Sequence, residues 1–372
     1  MSALRILVDA HMIGHRQTGN ETYIVGLLSG LTGLSDLRVA AAIDPGASIP
    51  DELRATDTEW LPLRSRNNWA RLLWELDNLS RRWSADVVHA TYVAPLRCRC
   101  PKVVTLHDVS FRRFPEFFSL RDRLLFSTLV PASLRRASAI VTDSEHARTE
   151  IARFFPDLRA PVTAIPLAVH ARFRAAPDPT RVQDFRRRYD GGNGFILSVG
   201  NLQPRKNLGS LIHAFSSLRQ QYPRVNLVVV GPAAGSMPQL QALVTRLELT
   251  ADVHFTGYVT PEELDGLYRA ARLFVYPSLY EGFGLPILEA MACGTPVVAA
   301  NTSSIPEVAG DAALLAPSPG AEDLLAAMLQ VLRDDALAEA LRQRGLDRIE
   351  RFSWSETARR TSAVYHAVTR RS

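Results

Sequence analysis

Cysteine is scarce in this chain, and that scarcity narrows the class of protein before any motif is considered. There are three cysteines in 372 residues: Cys98 and Cys100 are too close for an ordinary disulfide, and Cys293 lies in an apolar stretch. There is no second Cys-x-Cys, so no zinc site is expected. No apolar run approaches the roughly 20 residues of a transmembrane helix, and the opening MSALRILVDA lacks the basic flank of a signal peptide. We therefore expect a cytoplasmic protein.

Lysine is almost absent too. Of the 43 basic residues only Lys102 and Lys206 are lysines, so we interpret Lys206, in a loop that follows a glycine, as kept for its compact ammonium group. Three motifs are also missing. No Gly-x-Gly-x-x-Gly occurs, which argues against NAD binding, and Gly14-x4-Gly19 has Asn20 where a P-loop needs lysine. No Asp-x-Asp occurs, so we expect no metal ion in the site.

The length predicts two domains, each with its own core, and strands alternating with helices predict an α/β fold. Apolar runs that deliver polar residues to the carboxyl edge of a parallel sheet are predicted at 5–9, 86–90, 102–107 and 139–144. Further strands are predicted near 195–199, 225–231, 252–256, 273–277 and 296–300. Residues 170–194, rich in Pro, Arg, Asp and Gly, are interpreted as a linker. This alternation of strands and helices predicts two doubly wound domains that face a central cleft.

The stretch from Glu281 to Glu289 combines a glycine loop with the start of a helix. Gly282 and Gly284 free the loop backbone for a ligand, and N–H groups at the helix start favour a phosphate. Carboxylates repel a phosphate, so if Glu281 and Glu289 face the ligand they must contact its neutral groups. We therefore assign Glu289, expected in the first helical turn, to vicinal hydroxyls such as those of a ribose, and Glu281 to hydroxyls beyond the phosphates. The alternative is that Glu289 favours the helix dipole and Glu281 is solvated.

A family resemblance adds to this interpretation. The string EGFGLPILEAMACGTPVVA, with residues 200–207 and 255–259, resembles the signature of the family 4 retaining glycosyltransferases of the GT-B fold. The resemblance implies transfer of a hexose from a nucleoside diphosphate sugar to an acceptor hydroxyl, with front-face attack and retained anomeric configuration. It implies an acceptor-binding Rossmann-like domain over 1–175, a nucleotide-sugar-binding domain over 176–352, and a last helix within 353–372 that crosses back to the first domain.

The resemblance also implies roles for individual residues. Arg205 and Lys206 are expected to stabilise the leaving diphosphate, and Glu281 and His107 to orient the sugar. The residues expected to bind the donor are Gly19, Gly200, Asn201, Tyr258, Val259, Gly282, Phe283, Gly284, Leu285 and Glu289. The family often has arginine where this chain has Asn201, so we give the role at the distal phosphate to Arg205. Gly19 as a plain turn glycine and His107 as a structural histidine are the alternatives.

The same family resemblance implies a donor and an acceptor. The segment from His11 to Tyr23 looks closest to bacterial mannosyltransferases of surface polysaccharide assembly, so GDP-mannose is the first expected donor and a UDP-hexose the second. The acceptor is expected to be a glycan or a lipid-linked glycan, with no cofactor besides the donor and no nucleic acid partner. The alternatives are a nucleotide-sugar epimerase or hydrolase of the same fold and a non-catalytic nucleotide-binding member.

Two predicted helical regions combine aromatic and basic residues. Residues 67–83 contain Trp69, Trp74 and Trp83 with Arg71, and residues 111–136 contain five phenylalanines among arginines. One interpretation is a peripheral contact with an anionic membrane at the inner face of the cell membrane, or with a lipid-linked acceptor. The alternative is ordinary helix packing with solvated arginines.

Overall fold

The structure is a computed structural model that describes residues 3–15, 18–233 and 235–370. The chain divides into two compact units. The first consists of Met1–Ala168 and Phe352–Ser372, and the second of Val169–Arg351. The domain limits expected from the sequence were 175/176 and 352/353.

The described residues of the first unit form a seven-stranded parallel sheet in the order β3-β2-β1-β4-β5-β6-β7. The strands are β1 (Leu4–Asp9), β2 (Leu37–Ile43), β3 (Glu59–Pro62), β4 (Val87–Thr91), β5 (Lys102–Thr105), β6 (Ala139–Thr142) and β7 (Val162–Ala164). β2, β3 and β7 were not predicted. β2 contains three consecutive alanines, which have weak strand propensity, and the other two strands are short.

Helices connect these strands. They are α1 (Thr18–Leu31), α2 (Asp51–Arg54), α3 (Asn68–Ala70), α4 (Leu76–Arg82), α5 (Ser110–Arg113), α6 (Leu120–Leu134) and α7 (Glu145–Phe154). A π-helical turn, Arg71–Glu75, joins α3 to α4, and a 3-10 turn, Pro115–Phe117, precedes α6. Ser144 is the N-cap of α7, because its Oγ accepts from Ala147 N at 3.0 Å. His89 is buried in the core.

The second unit has a six-stranded parallel sheet within its described residues, in the order β10-β9-β8-β11-β12-β13. Its strands are β8 (Phe195–Val199), β9 (Asn226–Val230), β10 (Val253–Gly257), β11 (Leu273–Tyr276), β12 (Val297–Ala300) and β13 (Leu314–Ala316). Its helices are α8 (Pro179–Tyr189), α9 (Leu208–Arg219), α10 (Met237–Arg246), α11 (Pro261–Ala270), α12 (Leu285–Ala292), α13 (Ile305–Ala309), α14 (Ala321–Arg333) and α15 (Asp335–Ile349), with 3-10 turns at Ala171–Arg174 and Pro204–Lys206. Thr260 and Glu263 form a capping box at the start of α11.

The predicted linker over 170–194 is wrong. Helix α8 occupies much of it, and Asp178 caps this helix by accepting from Thr180 N at 3.0 Å and Arg181 N at 3.2 Å. The helix packs closely on α11: a Cβ added at Gly266 would lie 2.9 Å from the ring of Phe185. Its polar composition resembles a loop because so many of its residues face solvent.

The last helix, α16 (Trp354–Thr369), belongs to the first unit and packs on α1. A Cβ added at Gly26 would lie 2.1 Å from the ring of Trp354, so glycine allows the two helices to approach. Further along α16, Tyr365 hydrogen-bonds His89 Nδ1 in the core.

In both sheets the order of strands reverses beside the first strand. These topological switch points lie between β1 and β4 and between β8 and β11. Open α/β sheets bind ligands outside the carboxyl ends of the strands at such points. The loops that follow these four strands are therefore where a site is expected.

Candidate functional site

Arg205, Lys206 and Glu281 meet at the switch point of the second unit. The loop after β8 carries both cations, and the loop after β11 carries the carboxylate. Lys206 Nζ donates to Glu281 Oε1 at 2.6 Å, and Arg205 Nη1 donates to Glu281 Oε2 at 2.9 Å. The structure therefore brings three of the four predicted catalytic residues into contact.

The Lys206 side chain is buried against Tyr276. Its Nζ donates to the Tyr276 hydroxyl at 2.9 Å and lies 5.0 Å from the centre of that ring. Gly200 has φ +152°, and a Cβ there would lie 3.1 Å from Lys206 Cε. Glycine at this position thus provides both the backbone conformation and the space for the lysine stem.

The charges in this cluster do not cancel. Burial alone would raise the pKa of Glu281, but the charges of Lys206 and Arg205 outweigh it and hold that pKa at about 2. The carboxylate is ionised at neutral pH, so the two cations and one anion leave one net positive charge. An anion entering the site would meet that charge at the carboxyl edge of the sheet.

Hydrogen bonds fix the backbone around Glu281. Glu281 N donates to Ser303 Oγ at 2.8 Å, and Ser304 Oγ donates to the carbonyls of Glu281 at 3.0 Å and Phe283 at 2.8 Å. Gly284 has φ +110° and is the N-cap of α12, whose N-terminus is thereby placed beside the loop. Gly282 and the side chain of Phe283 are buried, whereas Leu285 is half-buried.

The predicted position of Glu289 in the first turn of α12 is wrong. The helix begins at Leu285, one residue before Pro286, so Glu289 lies in the second turn. The Tyr268 hydroxyl donates a hydrogen bond to Glu289 Oε2 at 2.8 Å. Burial raises the pKa of Glu289 to about 7, against the opposing effects of the Tyr268 hydrogen bond and the Arg172 charge. Its role at the ribose stays a prediction.

The other predicted donor-binding residues follow strands at the same edge of the second sheet. Asn201 follows Gly200 after β8, and its carbonyl accepts from Gln203 N at 2.7 Å. Tyr258 and Val259 follow β10, which ends at Gly257 with φ +72°. Tyr258 is 43% exposed. Their roles stay predictions.

His107 lies beyond the carboxyl end of β5 in the first unit and is paired with Asp143. His107 Nδ1 and Asp143 Oδ2 are 2.7 Å apart, and His107 Nε2 is buried with no hydrogen-bond partner among the described residues. Burial would lower the pKa of His107, but the carboxylates of Asp143 and Asp108 outweigh it and raise that pKa. Asp143 was not predicted as this partner. The signal was available: both residues come two positions after paired residues of neighbouring strands, Thr105 and Val141.

A second buried cluster in the first unit corrects the interpretation of Arg71. Its Nη1 donates to Asp9 Oδ2 at 2.9 Å, and Asp9 Oδ1 is 2.9 Å from His11 Nδ1. The side chain is 9% exposed, so it is an interior cation rather than part of a basic surface. Trp83 is buried as well, and its Nε1 donates to Glu59 Oε2 at 2.6 Å.

The loop that follows β1 is short. Helix α1 begins at Thr18, so Gly19 lies in its first turn, where a Cβ would meet nothing within 4 Å. Gly14 N donates to Glu21 Oε1 at 2.7 Å, which joins the loop to this helix. Residues 16 and 17 of the loop lie outside the described residues. The role of Gly19 stays a prediction.

Other parts of the aromatic and basic helices are exposed. Trp69 and Trp74 are each about half exposed, and Leu120 and Leu124 are 84% and 68% exposed on α6. Arginines at 112, 113, 121 and 123 are exposed nearby in the sequence. Among the residues that the structure describes, no helix is long and apolar enough to cross a membrane.

Comparison with known proteins places both halves of the chain in known families. Residues 181–348 match the family described as Glycosyl transferases group 1, and residues 18–173 match Glycosyltransferase Family 4. O-antigen chain mannosyltransferase B of Escherichia coli is 37% identical over 71% of this chain and 69% of its own length. The serotype-specific mannosyltransferase WbdA of the same organism is 35% identical over 61% of this chain. The matched region is only 28% of that longer protein.

Solved structures share the fold at low sequence identity. Sucrose-phosphate synthase from Thermosynechococcus elongatus has a TM-score of 0.79 and 21% identity over 100% of both chains. HepE of Anabaena, in complex with UDP and glucose, has a TM-score of 0.75 and 20% identity over 98% of this chain and 100% of its own. With the two doubly wound sheets, these similarities confirm the expected fold class of two Rossmann-like domains of the GT-B type.

Proposed function

This chain belongs to the group 1 glycosyl transferases, and from that membership we propose that it transfers a mannosyl group from GDP-mannose to an acceptor hydroxyl in the assembly of a cell-surface polysaccharide. The relative that supports a mannosyl group is the O-antigen chain mannosyltransferase B, of which the chain covers 69%. A UDP-hexose is the second donor that we propose to test, because a solved structure of the same fold is in complex with UDP and glucose.

The observation that carries the proposal is the cluster of Arg205, Lys206 and Glu281 at the switch point of the second unit. A nucleoside diphosphate leaves with negative charge, and fixed cations that meet this charge lower the barrier by several kcal/mol. We assign that role to Lys206 and Arg205, supported by the N-terminus of α12. Once the diphosphate shares the cations, Glu281 can accept hydrogen bonds from sugar hydroxyls.

We assign His107 to the transferred sugar as well. Its buried Nε2 has no hydrogen-bond partner among the described residues and can form one with a sugar hydroxyl. Asp143 fixes the orientation of the ring through Nδ1. We further propose that the configuration at the anomeric carbon is retained, by front-face attack. In this step the bond from C1 to the phosphate oxygen breaks, the bond from C1 to the acceptor oxygen forms, and the acceptor proton passes to the departing phosphate. No metal ion is required, because Lys206 and Arg205 carry the charge.

An acceptor-dependent assay tests which donor is used and whether the anomeric configuration is retained. Purified protein is incubated with GDP-mannose, GDP-glucose, UDP-glucose or UDP-galactose, with and without a mannose-terminated oligosaccharide, and the product anomer is read by NMR. We expect α-linked product from GDP-mannose only with acceptor present, and at least tenfold less from the other donors. Donor conversion at the same rate without acceptor would instead indicate a nucleotide-sugar epimerase or hydrolase.

We also propose that the acceptor is a glycan on a lipid carrier and that the first unit meets the inner face of the membrane. The support is the exposed leucines of α6, Leu120 and Leu124, beside exposed arginines. Exposed leucines beside basic residues can enter the interface of an anionic bilayer without crossing it.

A further inference from the structure

Cys98 and Cys100 lie together at the amino edge of the first sheet. Their sulfur atoms are 3.0 Å apart, closer than two sulfurs that are merely in van der Waals contact. The pair precedes β5, whereas His107 follows the other end of that strand, so the thiols are outside the site described above. Cys98 packs in the core with Leu76 and Val88.

The backbone holds the two thiols in place. Lys102 Nζ donates to the carbonyl oxygen of Cys98 at 2.9 Å and to that of Cys100 at 3.4 Å. Pro101 disfavours a helical conformation at Cys100. The Lys102 ammonium group and Pro101 thus restrain the backbone that carries the two sulfurs.

The surroundings favour a thiolate. The charge of Lys102 acts to lower the pKa of both thiols. The hydrogen bond from Cys100 lowers the pKa of Cys98 to about 6, whereas the same contact raises the pKa of the Cys100 thiol. The pair therefore shares one proton and one negative charge near neutral pH, and movement of that proton places the charge on either sulfur.

We propose that Cys98 and Cys100 form a reversible intramolecular disulfide by exchange with a low-molecular-weight disulfide. Cys100 is the less buried sulfur, so it attacks the external disulfide, forms a mixed disulfide and releases one thiolate. Cys98 then attacks the Cys100 sulfur, and the second external thiolate leaves with the pair's remaining proton. Two protein thiols are oxidised and one external disulfide is reduced to two thiols.

A bond across a single residue departs from relaxed disulfide geometry, and strained disulfides are more easily reduced. This strain is why the spacing is wrong for an ordinary structural bridge. It suits a bond that forms and breaks with the redox poise of the surroundings.

The test uses the native chain in buffers with a rising ratio of oxidised to reduced glutathione. Samples are quenched with an alkylating reagent and analysed by intact and peptide mass spectrometry. We expect two of the three thiols to be lost together, in one peptide lighter by two hydrogen atoms, and to return with excess reduced glutathione. Cys293 is the internal control, because it is buried and burial raises the pKa of its thiol.

Variants separate the two steps. Cys98→Ser should stop at a glutathione adduct on Cys100, and Cys293→Ser should oxidise as the wild type does. If the buried Cys98→Ser variant fails to fold, the wild-type peptide mass decides alone. Two thiols that stay reduced at every ratio, separate glutathione adducts on both cysteines, or a bond between two chains would each overturn the proposal.

Discussion

At the scale of single residues, Glu281 and Glu289 have different partners, so their removal should have different effects. Glu289→Ala should weaken binding of free GDP by about ten- to hundredfold, as expected for losing hydrogen bonds to a charged group. Glu281→Ala removes the carboxylate that pairs with Arg205 and Lys206, so affinity for GDP should be unchanged or higher. Its turnover should fall by about a hundredfold. Calorimetry and initial rates measure the two effects.

The exposed Glu322 supplies a control, and Glu322→Ala should change neither quantity. An equal loss of GDP affinity in the Glu281 and Glu289 variants would contradict the assignment of these carboxylates to different parts of the donor.

Glu289 also predicts how stability depends on pH. Burial raises its pKa from 4.5 to about 7, so the carboxyl destabilises the fold as pH rises from 4.5 to 7. At about 1.4 kcal/mol per pH unit the cost reaches about 3 kcal/mol above pH 7. Glu289→Gln keeps the acceptor for Tyr268 without this cost, so the variant should gain stability over the wild type between pH 5 and pH 8.

Thermal denaturation at several pH values measures that gain, with Glu322→Gln as the matched control. A stability difference between Glu289→Gln and wild type that is the same at pH 5 and pH 8 would show that Glu289 titrates normally. The expected conflict between stability and function at this residue is common at binding sites.

At the scale of helices, the contact between α1 and α16 gives a prediction in which two effects oppose each other. Helix propensity favours alanine over glycine by about 1 kcal/mol, but a Cβ at Gly26 would lie 2.1 Å from the Trp354 ring. Overpacking costs about 1–3 kcal/mol or more, so Gly26→Ala should lower the melting temperature. Gly209, near the start of α9, has nothing within 4 Å, and Gly209→Ala should be neutral or stabilising. A stabilised Gly26→Ala would mean that α16 does not pack closely on α1.

Helix α6 carries the prediction about membranes. If Leu120, Leu124 and the neighbouring arginines meet an anionic bilayer, the protein should sediment with anionic but not with neutral liposomes. Each charge near the surface contributes about 1 kcal/mol, and Arg121→Glu removes one positive charge and adds one negative charge. The loss of about 2 kcal/mol should reduce partitioning by about thirtyfold at low salt. Arg186→Glu, on the exposed face of α8, makes the same charge change elsewhere and should have little effect. Binding that is absent, or insensitive to salt, would leave α6 as an ordinary packed helix.

Most of the central strands were predictable because buried parallel strands are continuous apolar runs. The strands β2 and β13 and the helix α8 were not: alanine and leucine suit helices as well as strands, and α8 is polar on most of its surface. Sequence also could not show that Arg71 is buried. Its partner Asp9 is 62 residues away, and only the fold brings the two charges together.

At the scale of the whole molecule, the candidate site depends on contacts distant in sequence. Lys206 and Glu281 were each predicted from their local segments, but their ion pair joins loops 75 residues apart and follows from the strand order β8-β11. His107 and Asp143, in the loops after β5 and β6, likewise meet because these two strands are neighbours in the sheet. Local patterns thus identified Lys206, Glu281 and His107, whereas the order of strands determines which residues meet.

The whole site predicts activity without a divalent metal. A leaving diphosphate needs positive charge, and the second unit supplies it from Lys206 and Arg205 rather than through paired carboxylates, since the sequence has no Asp-x-Asp. Initial rates of the metal-stripped enzyme should therefore be the same in excess EDTA and with added magnesium or manganese. Lys206→Ala should reduce the rate by about a hundredfold or more, and added magnesium should not restore it. Activity that the chelator abolishes and the metal restores would contradict this mechanism, and Asp108 and Asp143 would then be the carboxylates to test as ligands.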